Sequence, residues 1–167
     1  MIMIFIALIS VILPLVHLAL SSVPRTRARV VRLLLLYALV LDVGVLGFFL
    51  GFIPHIFFAD ATAKSIGWPP GSPFQFEVGF HDGAWGILGF LSIWIGGSFW
   101  IATGLGWCFF MLGATYGHVV QTLREGDFAP YNFFTIFSDG FVAFWLLLLL
   151  FLYWRWGIWK EDRVANG

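Results

Sequence analysis

Charged side chains are scarce in this chain of 167 residues. Only 11% of the residues are Asp, Glu, Lys or Arg, whereas 60% are hydrophobic and 20% are aromatic. Soluble domains carry about 25% charged residues, so a water-exposed globular domain is excluded. Nine basic residues balance nine acidic ones, and a chain without a net field has no electrostatic attraction for nucleic acid. The only cysteine, Cys108, cannot form a disulfide within the chain.

Long apolar runs take the place of the missing charge. A hydrocarbon core of about 30 Å is crossed by about 20 residues of helix, and the sequence predicts five such spans. We expect a single all-α transmembrane domain over residues 1–167, with a four-helix core and an additional N-terminal span. The predicted spans are residues 1–20, 33–58, 74–96, 98–122 and 133–158.

The basic residues predict how these spans are oriented. The first run has no Lys or Arg before its apolar region, unlike a cleavable secretory signal, so we expect it to remain as a span. Seven basic residues fall on one side of the predicted spans and two on the other, and the richer side is normally cytoplasmic. We therefore predict a multi-pass cell-membrane protein with its N-terminus outside and its C-terminus in the cytoplasm. The seven are Arg25, Arg27, Arg29, Arg32, Arg155, Lys160 and Arg163, and the two are Lys64 and Arg124.

Glycine spacing predicts which spans lie close together. Gly79 and Gly83 in the third span, and Gly113 and Gly117 in the fourth, are each four residues apart. Small residues at this spacing let membrane helices approach closely. We therefore expect the third and fourth spans to cross near their outer ends.

Ionisable side chains inside the predicted spans are concentrated toward the outer end. Glu77 and His81 are four residues apart and share a helix face, as do His118 and Gln121, three residues apart. Asp139 lies at a similar predicted depth. Such groups are costly within a membrane unless they are paired or functional.

Two interpretations of these five residues remain open. In the first, they form a ligand-binding site, in which Glu77, His81 and His118 hold a transition metal such as zinc or iron. The same groups can instead hydrogen-bond the head of a quinone-like ligand or relay protons. In the second interpretation the cluster only stabilises the helix bundle. The sequence identifies no cofactor.

Two further features concern the surroundings of this cluster. The segment from Asp60 to Pro73 is rich in proline and glycine toward its end, which predicts a stiff, non-helical path over the cluster, either a lid or a plain connector. Asp42 falls near the middle of the second span, where the sequence offers no partner at the same depth.

One sequence motif carries a family resemblance. The run from Gly67 to Glu77, which reads GWPPGSPFQFE, occurs together with Gly117-His118 and with Asn132 after Phe128-Ala129-Pro130. Over the second to fifth spans, the chain resembles a family of small bacterial and archaeal membrane proteins of unknown function. More distantly, its hydropathy is similar to that of the DoxX-like proteins, four-helix membrane proteins linked in some members to quinone-coupled sulfur oxidation. The resemblance implies a prokaryotic membrane protein and no particular activity.

Three functional classes follow from these observations. The first is a small integral membrane protein with an outer-leaflet histidine and carboxylate site for a metal, a quinone-like ligand or protons. The second is an accessory subunit without chemistry of its own, which packs against a larger membrane complex as well as the lipid bilayer. The third is a proton-coupled transporter, which is disfavoured because no inverted repeat is visible. Whether the protein is an enzyme is not predicted.

Overall fold

The computed structural model describes residues 2–165, with side chains as far as Asp162. Every regular element in this range is helical, as the all-α prediction requires. The helices are α1 (Ile2–Leu20), α2 (Arg27–Phe57), α3 (Ala59–Ile66), α4 (Phe74–Leu91), α5 (Ser98–Glu125), α6 (Pro130–Arg155) and α7 (Ile158–Ala165). Met1, which begins the first predicted span, and the side chain of Arg163 lie outside the described part.

Four helices of the described chain are long and apolar enough to cross a membrane, namely α1, α2, α5 and α6. The remaining predicted span corresponds to α4. It is shorter, with 18 residues, and less apolar because it carries Gln75, Glu77, His81 and Asp82. Its polar residues fall in its first half, toward the end of the bundle that contains α3.

The Asp60–Pro73 connector is helical in its first half and irregular in its proline-rich second half, for which the sequence predicts a stiff path. Residues Ala59–Ile66 form α3, which ends where Gly67 adopts a left-handed conformation (φ 91°). The irregular path is confined to the seven residues before α4, where Asp60 Oδ1 accepts a hydrogen bond from the amide of Gly71 (2.9 Å). The proline-rich half of the connector is therefore tied back to α3.

The closest helix pair in the bundle is α2 with α4. The middle of α2, Leu39–Phe52, is wound as a π-helix, which is a wider winding than the α-helix. A Cβ atom placed on Gly89 would lie 2.3 Å from the backbone nitrogen of Gly44, and one on Gly86 would lie 2.6 Å from that of Phe48. Only glycine permits this approach of one backbone to the other.

This arrangement shows that the predicted crossing between the third and fourth spans is wrong. Gly79 and Gly83 do face a neighbouring helix, but their contacts are Ile56, His55 and Phe52 of α2. Around Gly113 and Gly117 of α5, no atom of the described residues lies within 4 Å of where a Cβ would be. Helix α5 packs instead mainly along α6.

The basic residues of the larger group gather at one end of the bundle. Arg32 at the start of α2 binds Glu161 and Asp162 of α7 (2.6 and 2.7 Å). The hydroxyl of Tyr153 donates to Asp162 Oδ2 (2.6 Å) and accepts from the amide of Gly97 between α4 and α5 (3.2 Å). These contacts bring the ends of four helices together.

The close packing of α2 and α4 generates a stability prediction. Gly89→Ala should lower the free energy of unfolding by roughly 1–3 kcal/mol, because the added methyl group overlaps the backbone of α2. Gly117→Ala is the matched control: it adds the same atom to a helix where there is room, and alanine is the better helix former. Thermal unfolding in detergent compares the two variants. Equal melting temperatures would contradict the packing described here.

Candidate functional site

A cavity of about 600 Å³ lies between α4 and α5, with α2, α3 and α6 behind and above it. Four of the five predicted ligand-binding residues border it: His81 of α4, His118 and Gln121 of α5, and Asp139 of α6. The structure therefore brings these polar groups to one space from three helices. A volume of this size is typical of small-molecule binding sites.

The cavity exists because α4 and α5 touch at one level and separate beyond it. At that level the indole of Trp85 rests on Gly106, where a Cβ atom would lie 1.9 Å from Trp85 Cη2. One helical turn closer to the α3 end of the bundle, the ring centroids of His81 and Phe110 are 4.3 Å apart. Beyond this level, Gly113 and Gly117 face open space. The cavity is thus a cleft that widens toward the α3 end of the bundle.

Seven phenylalanine, tryptophan and tyrosine side chains of the described residues line the cleft. Trp68 and Phe74, whose ring centroids are 5.7 Å apart, border the cleft on the side of the connector. Phe109 borders it at the surface of the bundle and is 83% exposed. Gly67, just before Trp68, packs on the carboxylate of Asp127 in the α5–α6 loop. The two loops therefore close the end of the bundle, while the side between α4 and α5 is open.

His118 is held in a defined orientation by a buried amide. Its Nδ1 is 2.6 Å from Oδ1 of Asn132, whose Nδ2 donates to Thr122 Oγ1 and to the carbonyl of Asp127 (3.0 and 2.8 Å). A carbonyl can only accept, so this amide is oriented with its oxygen toward His118. The Nδ1 of His118 is therefore the donor, and its Nε2 carries a lone pair that has no partner among the described residues.

His81 is also fixed, but both of its ring nitrogens are occupied. The indole Nε1–H of Trp85 can only donate, and it lies 2.9 Å from His81 Nε2. Nδ1 must therefore carry the hydrogen, which it donates to Asp82 Oδ1 (3.2 Å). In this arrangement neither nitrogen is available to bind a metal.

The structure adds two cleft residues that the sequence analysis left out of the site. His55, near the end of α2, borders the cleft and is 2.6 Å from the buried amide oxygen of Gln75. Asp82 borders it as well, with its carboxylate against Gly51 of α2. The sequence signal for Asp82 is its position next to His81, since adjacent helical residues point about 100° apart and can line one wide space.

Glu77 does not join the other predicted site residues. Its side chain is exposed and does not border the cleft. Phe74 and Val78, on either side of it in the sequence, do border the cleft, so Glu77 lies at a suitable depth. It is turned away from the cleft because successive helical residues are about 100° apart around the axis. Within the described residues, no three His, Cys, Asp or Glu side chains are grouped so that they could hold a metal ion.

The buried carboxyl group of Asp42 has a partner, which corrects the expectation that it has none. Ser10 of α1 is 2.7 Å from Asp42 Oδ2, and its hydroxyl also lies 2.8 Å from the carbonyl of Ala7. Asp42 is fully buried on the side of α2 that faces α1 and does not border the cleft. It belongs to the contact between α1 and α2.

Comparison with known proteins assigns the chain to a family. The model of the family of unknown function DUF6790 matches residues 1–157, so the chain belongs to that family. The match includes the first span, which the resemblance based on the proline-rich motif did not cover. No curated protein and no solved structure matches the chain.

The hydrogen-bond network predicts the tautomers of two histidines. Nitrogen NMR of the protein labelled at histidine should show His81 and His118 as neutral rings with the hydrogen on Nδ1, because their partners are Trp85 and Asn132. Trp85→Phe removes the group that donates to His81 Nε2. In this variant His81 should also populate the tautomer with the hydrogen on Nε2, whereas His118 should be unchanged. A hydrogen on Nε2 of either ring in the parent protein would contradict this network.

Proposed function

We propose that this member of the DUF6790 family binds a small, lipid-soluble molecule in the cleft between α4 and α5. The observation that carries the proposal is the cleft itself, about 600 Å³ in volume, with aromatic walls and polar side chains from several helices directed into it. Ligand sites generally combine a largely apolar surface with a few convergent polar groups. His81, His118, Gln121 and Asp139 are the residues that we assign to this site.

The position of the opening supports a ligand that arrives from the bilayer. The gap between α4 and α5 is bordered by Phe109 and Gly113, which are both exposed on the side of the bundle. The connector with Trp68 covers the end of the cleft. A molecule dissolved in the membrane can enter sideways without crossing the loops.

The polar groups of the cleft support a ligand in preference to a purely structural cluster. In a structural cluster the polar atoms pair with one another. Here His118 uses Nδ1 for Asn132 and leaves Nε2 without a partner among the residues described. A metal is less well supported than an organic molecule, because Glu77 does not border the cleft and His81 has both nitrogens engaged.

Filling the cleft tests the proposal. Gly113→Leu and Gly117→Leu place a side chain where there is open space in the described structure, so both should fold and both should exclude a ligand. Ala102→Leu is the matched control, since Ala102 is exposed on the same helix and does not border the cleft. Two probes that quench tryptophan fluorescence on contact are used, 4-bromobenzyl alcohol and a short-tailed benzoquinone.

The parent and Ala102→Leu should show saturable quenching by at least one probe, because Trp68 and Trp85 border the cleft. In Gly113→Leu and Gly117→Leu the affinity for that probe should fall by at least about tenfold. This corresponds to a loss of about 1.4 kcal/mol of binding free energy. Quenching that rises without saturation and equally in all four proteins would indicate simple partition into the membrane. That result would overturn the proposal.

We also propose that the end of the bundle with Arg32 and α7 faces the cytoplasm, which puts the cleft in the outer half of the membrane. The support is the accumulation of basic residues at that end. In a Cys108→Ala background, a cysteine at Arg27 should react only with a membrane-permeant maleimide in intact cells. A cysteine at Lys64 should react with an impermeant one too. The reverse pattern would overturn this orientation.

A further inference from the structure

The cleft contains two buried carboxyl groups from different helices. Asp82 of α4 is 6% exposed and Asp139 of α6 is 3% exposed, and both border the cleft. Each has one oxygen engaged: Asp82 Oδ1 with His81 (3.2 Å) and Asp139 Oδ1 with Ser138 (3.2 Å).

The second oxygen of each carboxyl group is available to a ligand. Neither Asp82 Oδ2 nor Asp139 Oδ2 forms a hydrogen bond with the described residues. Neither oxygen is enclosed by protein atoms, in contrast to Asp42 Oδ1, which is enclosed and has no partner. Both oxygens therefore have access to the space of the cleft, and both can accept hydrogen bonds there.

No permanently cationic side chain of the described residues balances these groups in the cleft, and His55 of α2 is a further titratable base on its wall. Among the described residues that border it there is no lysine or arginine. In the neutral tautomers, the lone pair of His81 Nε2 accepts from Trp85. The lone pair of His118 Nε2 has no partner among the described residues. Buried carboxylates without a cation are costly, and a bound cation would remove much of that cost.

The walls of the cleft suit a positive charge on an apolar molecule. Trp68, Phe74, Trp85, Phe110 and Tyr131 all border it. The faces of aromatic rings attract ammonium groups, most strongly where water is excluded. A quinone, by contrast, offers only carbonyl oxygens, which cannot donate to the free carboxyl oxygens and would depend on donors such as Gln121 and Tyr131.

We infer that the ligand of this cleft is a hydrophobic amine, a small organic cation whose ammonium group is held by Asp82 and Asp139 and whose apolar part lies against the aromatic walls. This inference rests on the proposed binding function and specifies the chemical class of the ligand. The ammonium group donates to the two free Oδ2 atoms, and the Nε2 lone pair of His118 is a third acceptor in the same cleft.

Three probes of nearly equal size test the charge of the ligand. They are 4-bromobenzylamine, 4-bromobenzyl alcohol and 4-bromobenzoate, which at neutral pH are a cation, a neutral molecule and an anion. Tryptophan quenching is measured for each with the full-length protein in lipid nanodiscs. The amine should bind at least about tenfold more tightly than the alcohol, because it adds charge-assisted hydrogen bonds. The benzoate should show no saturable quenching.

Removal of single carboxylates identifies the residues that recognise the cation. Asp82→Asn should reduce the affinity for the amine by about tenfold or more and change that for the alcohol little. Glu77→Gln is the matched control, because it removes a carboxylate from the same helix outside the cleft. Asp139→Asn provides a second variant if Asp82→Asn melts at a markedly lower temperature than the parent.

The outcomes separate this inference from the proposed function. If the amine and the alcohol bind equally well, or if Glu77→Gln weakens amine binding as much as both cleft variants do, the inference is overturned while the binding site stands. If none of the three probes shows saturable quenching, the proposed function is overturned and the inference with it. Preference for the amine that is lost in Asp82→Asn or Asp139→Asn, and kept in Glu77→Gln, supports both.

Discussion

The close approach of α4 to the π-helical part of α2 determines where the other helices pack. Gly86 and Gly89 let the backbones meet so closely that a methyl group at either position would overlap α2. Helix α4 lies along α2 and makes few contacts with α5. Helix α5 pairs with α6, and the two helix pairs meet through the bulky contact of Trp85 on Gly106. The cleft is the space that remains between them.

The same arrangement explains why the polar side chains are divided into two sets. Those that lie within a helix pair are enclosed by it: Asp42 contacts Ser10 through Oδ2 while its Oδ1 is buried without a partner, and Asn132 contacts His118 and Thr122. Those on the walls of the cleft are paired through one oxygen and have the other beside open space. Asp82 and Asp139 each have one oxygen without a partner among the described residues. In a membrane-spanning protein, groups of this second kind are expected where a ligand binds.

Much of the fold could be predicted because it depends on local sequence. Length and hydropathy place four of the predicted spans on helices that can cross a membrane, and counting residues from the helix ends places His81, His118 and Asp139 at similar depths. The same counting cannot reveal which helix a glycine faces. Gly79 and Gly83 have the spacing of a close contact, but whether α2 or α5 occupies it depends on the whole bundle.

The composition of the site was predictable only in part, for a related physical reason. Being four residues apart on a helix is not enough to share a cleft, because the two positions still differ by about 40° around the axis. Glu77 lies to one side of the surface of α4 that borders the cleft, whereas Asp82 lies within that surface because the cleft is wide. The role of Asn132 in orienting His118 joins residues on two helices, and no spacing rule within one helix indicates it.

The cleft exists only if α4 and α5 are separated, and pairs of introduced cysteines measure that separation. In a Cys108→Ala background, cysteines at Phe52 and Gly83 should form a disulfide on mild oxidation, because a Cβ at Gly83 lies 3.2 Å from that of Phe52 and otherwise meets the ring that the exchange removes. Cysteines at Val78 and Gly117, on opposite walls of the cleft, should not form one but should be joined by a longer bifunctional maleimide. Direct disulfide formation between positions 78 and 117 in the resting protein would show that the two helices are packed together, and would contradict the existence of the cleft.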